Sequence, residues 1–176
     1  MKRIILTSHP VDHLYHERFM RVALKQGKKV KEGRLPAGAV VVWNGEIIGE
    51  GRARDRCLRK TTAHAEILAI EMANKERRNH RLEDCIIYCT HEPCQMCASA
   101  IFQAGIQEIV IGIPRFKMNV REHDIKLEDL VKDCGYHVNI TYEILADEIL
   151  KLTEERGWVK KQGTHPVIAE IESRYA

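Results

Sequence analysis

The residues able to do chemistry fall into two short clusters thirty positions apart, His64-x-Glu66 and Pro93-Cys94-x-x-Cys97. Two cysteines three apart at a helix start point the same way and can chelate one zinc ion. A helix N-terminus favours their thiolate forms, and Pro93 suits a first-turn position, where its missing N–H costs nothing. His64, at the start of its own predicted helix, can supply a third ligand. Three protein ligands leave one tetrahedral position open for a water, the mark of a catalytic rather than a structural zinc. Such a water ionises near a pH of about 7. Glu66 lies two residues past the histidine and can shuttle a proton without touching the metal. A zinc staple or a set of buried thiols is the plainer alternative, but it gives Glu66 no role.

These clusters need elements to hold them. Asp12 caps a predicted helix over 13–25, with Leu14, Phe19, Val22 and Ala23 as its apolar side. Ala39–Trp43 and Glu46–Ile48 read as strands around Asn44-Gly45, a strong hairpin signal. A polar loop with Arg52, Arg54, Arg56, Arg59 and Lys60 follows. Thr61 or Thr62 then caps a helix running to about Ala73. Ile86–Thr90 is a strand, Cys94–Ala104 a helix ended by Gly105, and Ile109–Ile113 another strand. A short helix around Leu127, Leu130 and Val131, a strand over 138–142 and a helix over 144–156 complete the order. Strands alternating with helices predict an α/β arrangement, a sheet of about five strands covered by helices. Residues 1–156 form one domain in this reading, with 157–176 as its C-terminal extension.

Composition sets the frame. At 176 residues, 44% apolar and 30% charged, the chain is a globular mixture long enough for a real core. No apolar run approaches the roughly 20 residues of a membrane span. Polar Thr7, Ser8 and His9 end the opening apolar run too early for a signal peptide. A net charge of +3 does not by itself mark a nucleic-acid binder. Four of the six cysteines crowd between Cys85 and Cys97, unlike a secreted disulfide framework. That pattern predicts a reducing, cytoplasmic setting. Cys85 and Cys89 share one face of a predicted strand and read as small core residues.

On these motifs the chain resembles the cytidine/deoxycytidylate deaminase superfamily, in the branch with one histidine and two cysteines as zinc ligands. The resemblance covers roughly residues 13–156. It is carried by Pro36-Ala37-Gly38-Ala39-Val40, Thr62-Ala63-His64-Ala65-Glu66 and Glu92-Pro93-Cys94-Gln95-Met96-Cys97. Within that branch it is similar to bacterial tRNA adenosine deaminases, guanine deaminases and fungal-type cytosine deaminases. Ile144-Leu145-Ala146-Asp147-Glu148 is particularly like the tRNA enzymes. The resemblance implies a three-layer α-β-α cytidine deaminase-like fold with a mixed sheet. It also implies zinc on His64, Cys94 and Cys97, Glu66 as proton shuttle, the Ala65 backbone facing the substrate, and a homodimer.

Two departures touch substrate recognition. Relatives usually offer an asparagine to the base where this chain has Ala53, and a Gly-rich segment where it has Pro114-Arg115-Phe116-Lys117-Met118-Asn119. The leading expectation is therefore a zinc-dependent hydrolase removing an exocyclic amine from a small heterocyclic amine, a guanine- or cytosine-type base or nucleoside. Phe116 and Trp158 are its candidate stacking walls. Deamination of adenosine in tRNA is the alternative, supported by the arginine loop, which can hold a phosphate. A non-catalytic zinc-binding homologue is the third reading, and the presence of Glu66 argues against it.

Overall fold

The computed structural model describes residues 12–115, 118 and 127–158. Helix α1 (His13–Lys28) begins where Asp12 Oδ1 accepts the Tyr15 N–H at 3.0 Å. It buries Phe19, Met20, Ala23 and Leu24. Leu14, expected on that side, is 81% exposed. It lies five residues before Phe19, about 140° around the helix from it.

Strands β1 (Gly38–Trp43) and β2 (Glu46–Arg52) form the expected hairpin. Asn44 and Gly45 both take positive φ (48° and 80°), as the tightest hairpin turn requires. β2 runs four residues beyond the expected Ile48, through Gly49 and Gly51. After it come α2 (Asp55–Leu58), α3 (Ala65–Arg77), β3 (Cys85–His91), α4 (Gln95–Gln103) and β4 (Glu108–Ile113). The chain continues with α5 (Leu127–Cys134), β5 (Asn139–Thr141) and α6 (Ala146–Glu155).

The sheet order is β2-β1-β3-β4-β5, with β1 antiparallel to both neighbours and β3, β4 and β5 parallel. Residues alternate between its faces with period two. Ala39, Val41, Ile87, Cys89, Ile109 and Ile111 cluster with Ala69, Ile101, Phe102 and Val131 from α3, α4 and α5. Val40, Val42, Tyr88 and Val110 cluster with Phe19 and Met20 of α1 and Ile149 of α6. This is the three-layer α-β-α arrangement with a mixed sheet, and Cys85 and Cys89 are core residues as expected.

Two helix starts differ from expectation. No threonine caps α3, whose N-cap is His64, and Cys94 is the N-cap of α4, so Pro93 lies just outside that helix. Helix α2 was not foreseen, because four residues are too few to show a period.

The start of α3 is fixed by a close approach. A Cβ on Gly51 would fall on the Ala65 carbonyl oxygen, and one on Gly49 on that of Ala69. The α3 backbone thus lies directly on β2, where only glycine fits. Gly51→Ala is expected to cost about 1–3 kcal/mol, a Tm loss of several degrees in thermal denaturation. An unchanged Tm would show that α3 has room to retreat.

Candidate metal centre

Residues 64 and 94 are each the last extended residue before a helix, with φ/ψ of −78°/161° and −70°/167°. Their carbonyls accept the first helical bonds, from Leu68 N–H at 3.1 Å and Ala98 N–H at 2.8 Å. Neither side chain caps its own helix, which leaves both free to turn toward each other. His64 Nδ1 lies 3.6 Å from Cys94 Sγ and 3.6 Å from Cys97 Sγ, one helical turn into α4. All three ligand atoms lie within 4.8 Å of one another. A tetrahedral zinc with Zn–N of about 2.05 Å and Zn–S of about 2.3 Å requires N···S separations of about 3.6 Å. The donor set and its spacing therefore fit zinc. Cys97 is buried, while His64 and Cys94 are half-buried.

Negative charge in the cluster gathers on Cys94. Its thiol is pulled down to about 4, chiefly by a hydrogen bond from Cys97 and further by His64. Cys97 is pushed up as the donor in that pair and by burial. His64 is raised, first by its hydrogen bond to Cys94. Glu66, the second residue of α3, is only 7% exposed, and burial raises its carboxyl.

The expected substrate residues are less closely gathered. Ala65 opens α3 and is buried. Ala53 donates its N–H to the Ala37 carbonyl at 3.1 Å, and Arg54 donates to Ala63 at 2.9 Å. The main chain at Ala53 and Arg54 is thus tied to the segment leading into His64. Trp158 is half-buried, with its N–H on the Thr153 carbonyl, and does not line the cleft at His64. Phe116 lies outside the described residues. That cleft, of about 480 Å³, is lined by Asp55, Arg56, Arg59, Lys60, Thr61 and His64. Arg34 Nη2 reaches both Asp55 oxygens at 2.8 and 2.9 Å, a pairing with no signal in the sequence.

Two further residues hold the cysteine turn in place. The Thr153 hydroxyl donates to the Ile149 carbonyl at 2.6 Å, so it accepts from His91 Nε2–H at 3.0 Å. His91 Nδ1 meets the Thr90 hydroxyl at 2.8 Å, and burial favours the neutral ring. Glu92 is buried, with one oxygen accepting the Arg115 N–H at 2.8 Å and the other the Leu127 N–H at 3.0 Å. Glu92 stood in a quoted motif, but its role was invisible because its partners are main-chain groups far along the chain.

Residues 14–113 match the family described as the cytidine and deoxycytidylate deaminase zinc-binding region. The chain is 41% identical over 97 residues to the tRNA-specific adenosine deaminase of Bacillus subtilis, covering 54% of this chain and 60% of that one. It thus spans less than two thirds of that relative's length. It is 40% identical over 142 residues to the tRNA-specific adenosine deaminase of Streptococcus pyogenes serotype M18, covering 79% of each chain. A solved structure from a study of A-to-I editing by tRNA:A34 deaminases is similar with a TM-score of 0.66 and 30% identity. That match covers 77% of this chain and 98% of the other.

Burial pushes His91 down to about 3, from an ordinary value of 6.5. The unfolded chain therefore binds a proton that the folded chain refuses. The stability that neutral His91 confers is complete above about pH 6.5 and is lost as pH falls toward 3, at up to about 1.4 kcal/mol per pH unit. Chemical denaturation of chelator-treated protein between pH 7 and 4.5 should show His91→Gln declining less steeply by about that amount. Parallel declines would place the acid sensitivity elsewhere.

Proposed function

Because the chain belongs to the cytidine and deoxycytidylate deaminase family, we propose that it is a zinc-dependent hydrolase that exchanges the exocyclic amine of a nucleobase for oxygen, and that its substrate is adenosine in tRNA. The observation that carries the reaction type is the meeting of His64 Nδ1 with two cysteine sulfurs at 3.6 Å, beside a buried glutamate on the same helix. His64, Cys94 and Cys97 hold the metal in this reading. Zinc, when bound, supplies the Lewis acidity that makes a water nucleophilic near neutral pH.

The remaining work falls to the protein. Glu66 takes a proton from the attacking water, delivers it to the ring nitrogen next to the amine-bearing carbon, and later protonates the departing amine. The balance is adenosine plus water giving inosine plus ammonia. A carboxyl raised by burial suits both directions of transfer, because general acid–base catalysis works best with a pKa near the working pH. The Ala65 backbone faces the polar edge of the base, and Phe116 is the remaining candidate to stack on it, since Trp158 does not line the cleft at His64. A homodimer belongs to the same reading.

The substrate assignment is supported by similarity to tRNA-specific adenosine deaminases over about four fifths of the chain. One observation favours a second reading, a free base or small heterocyclic amine. Ala53 offers a methyl group where relatives offer a carboxamide, and a site stripped of that partner loses discrimination. Ammonia release from a tRNA panel and from free bases and nucleosides separates the two. Inosine in tRNA supports the first reading, and turnover of free bases alone supports the second.

Two substitutions test the residue roles. Cys94→Ala should lose bound zinc by elemental analysis and lower Tm, because metal affinity contributes to folding free energy. Glu66→Ala should keep zinc and fold but lose turnover by about 10²–10⁴-fold or more. Near-native turnover in that variant would remove Glu66 from the mechanism.

A further inference from the structure

The cysteine turn has the geometry for a second kind of chemistry besides metal binding. Cys94 is the N-cap of α4 and Cys97 its third residue. Residues 95 and 96 are helical, which sets the Cα atoms of the two cysteines about 5 Å apart. Disulfides span Cα separations of about 4.4–6.8 Å. The two Sγ atoms lie within 4.8 Å of each other, so rotation about the side-chain bonds closes the rest. Cys85 and Cys89, the other closely spaced pair, are four residues apart on β3. That is about 13 Å along a strand, too far to bridge.

Burial divides the two sulfurs. Cys94 is half-buried, whereas Cys97 is 0% exposed. A small oxidant therefore meets Cys94 first, with Cys97 beside it and sheltered from a second molecule of oxidant. The turn also keeps its anchors when its sulfurs change partners. The Glu92 carboxylate holds the Arg115 and Leu127 N–H groups, and His91 is bonded to Thr153. None of these contacts uses a sulfur, so the turn can close and reopen without moving the strand that carries it.

We infer that Cys94 and Cys97 are a redox-modification site, which a hydroperoxide closes into an intrachain disulfide that shuts the centre to metal. In the first step the Cys94 sulfur attacks a peroxide oxygen. An S–O bond forms, the O–O bond breaks, one water leaves and Cys94 becomes a sulfenic acid. The Cys97 sulfur then displaces that oxygen: the S–S bond forms, the S–O bond breaks and a second water leaves. Two thiols and one peroxide give one disulfide and two waters; the sulfurs lose two electrons and the peroxide gains them. A disulfide has no thiolate to offer, so His64 remains as the lone donor of the three. A dithiol reductant reverses the change. The effect on activity rests on the zinc reading of this centre, but formation of the disulfide does not.

The test uses the full chain with the exposed Cys57 and Cys134 replaced, as Cys57→Ser/Cys134→Ser, loaded with zinc and treated with hydrogen peroxide. Of the six cysteines four then remain, and the free-thiol count after denaturation should fall from four to two. Mass spectrometry should find the peptide holding Cys94 and Cys97 lighter by two hydrogens. Bound zinc should fall to the level of the Cys94→Ala variant, and dithiothreitol with added zinc should restore both thiols and metal. Adding Cys97→Ser should stop the reaction at a sulfenic acid on Cys94, which dimedone traps. Thiols that survive peroxide sufficient to oxidise free glutathione overturn the site. So does a sulfinic acid on Cys94 with Cys97 intact, or a disulfide from either residue to Cys85 or Cys89. A chain that closes the disulfide but never binds zinc sinks the metal reading and leaves the redox site standing. Zinc and turnover that persist under peroxide, with all four thiols intact, overturn the redox site and leave the deaminase reading untouched.

Discussion

Two helices that begin thirty residues apart must start at nearly the same point in space, and the seating of α3 on β2 makes this possible. Gly49 and Gly51 let the α3 backbone rest on the strand with no side chain between them. That contact sets where His64 emerges. On the other side, the parallel crossover from β3 to β4 lays α4 on the same sheet face as α3, so Cys94 arrives at the histidine from the end of β3, two strands from β2. The His64–Cys94–Cys97 triangle is assembled by this packing together with the hydrogen bonds of His91 and Glu92 that hold the cysteine turn. Its N···S edges of 3.6 Å suit one tetrahedral ion.

The same geometry explains the electrostatics. α3 and α4 both start at the cluster, and a helix start carries roughly half a positive charge. Cys94 is thereby in a place that tolerates a thiolate, and its hydrogen bonds from Cys97 and His64 reinforce it. Glu66, in the first turn of α3 but buried, meets the opposite condition and holds its proton more tightly. One end of the sheet thus gathers a stabilised anion, a reluctant acid and an excess of cations on α2 and the loop behind it.

What could be read from the sequence divides along physical lines. The five strands and the pairing of the two cysteines were legible because apolar and β-branched runs, Asn44-Gly45 and the Cys94-x-x-Cys97 spacing are local signals, whereas the mixed sheet was implied only by the family resemblance. Cap assignments failed where a residue had other work. Thr61 and Thr62 looked like caps by type, yet His64 takes the position because its ring is needed at the cluster. Leu14 looked apolar-facing by type but lies off the buried stripe. The anchors Glu92, His91 and Asp55 were not legible at all. Each bonds to groups 21 to 62 residues away in sequence, and nothing local announces such pairings.

The Glu92 carboxylate has a consequence for how such a chain can change over generations. It holds the main chain at Arg115 with one oxygen and at Leu127 with the other, so both ends of the intervening eleven residues are pinned to the strand that leads into Cys94. With its ends fixed, a segment of this kind is a replaceable insert. Doubling its length changes the closure entropy by only about 0.6 kcal/mol. The departure from the Gly-rich pattern of the tRNA enzymes begins at Pro114 and runs into this interval. Selection can therefore rewrite the residues between Arg115 and Leu127 while the cysteine turn stays where the fold has put it.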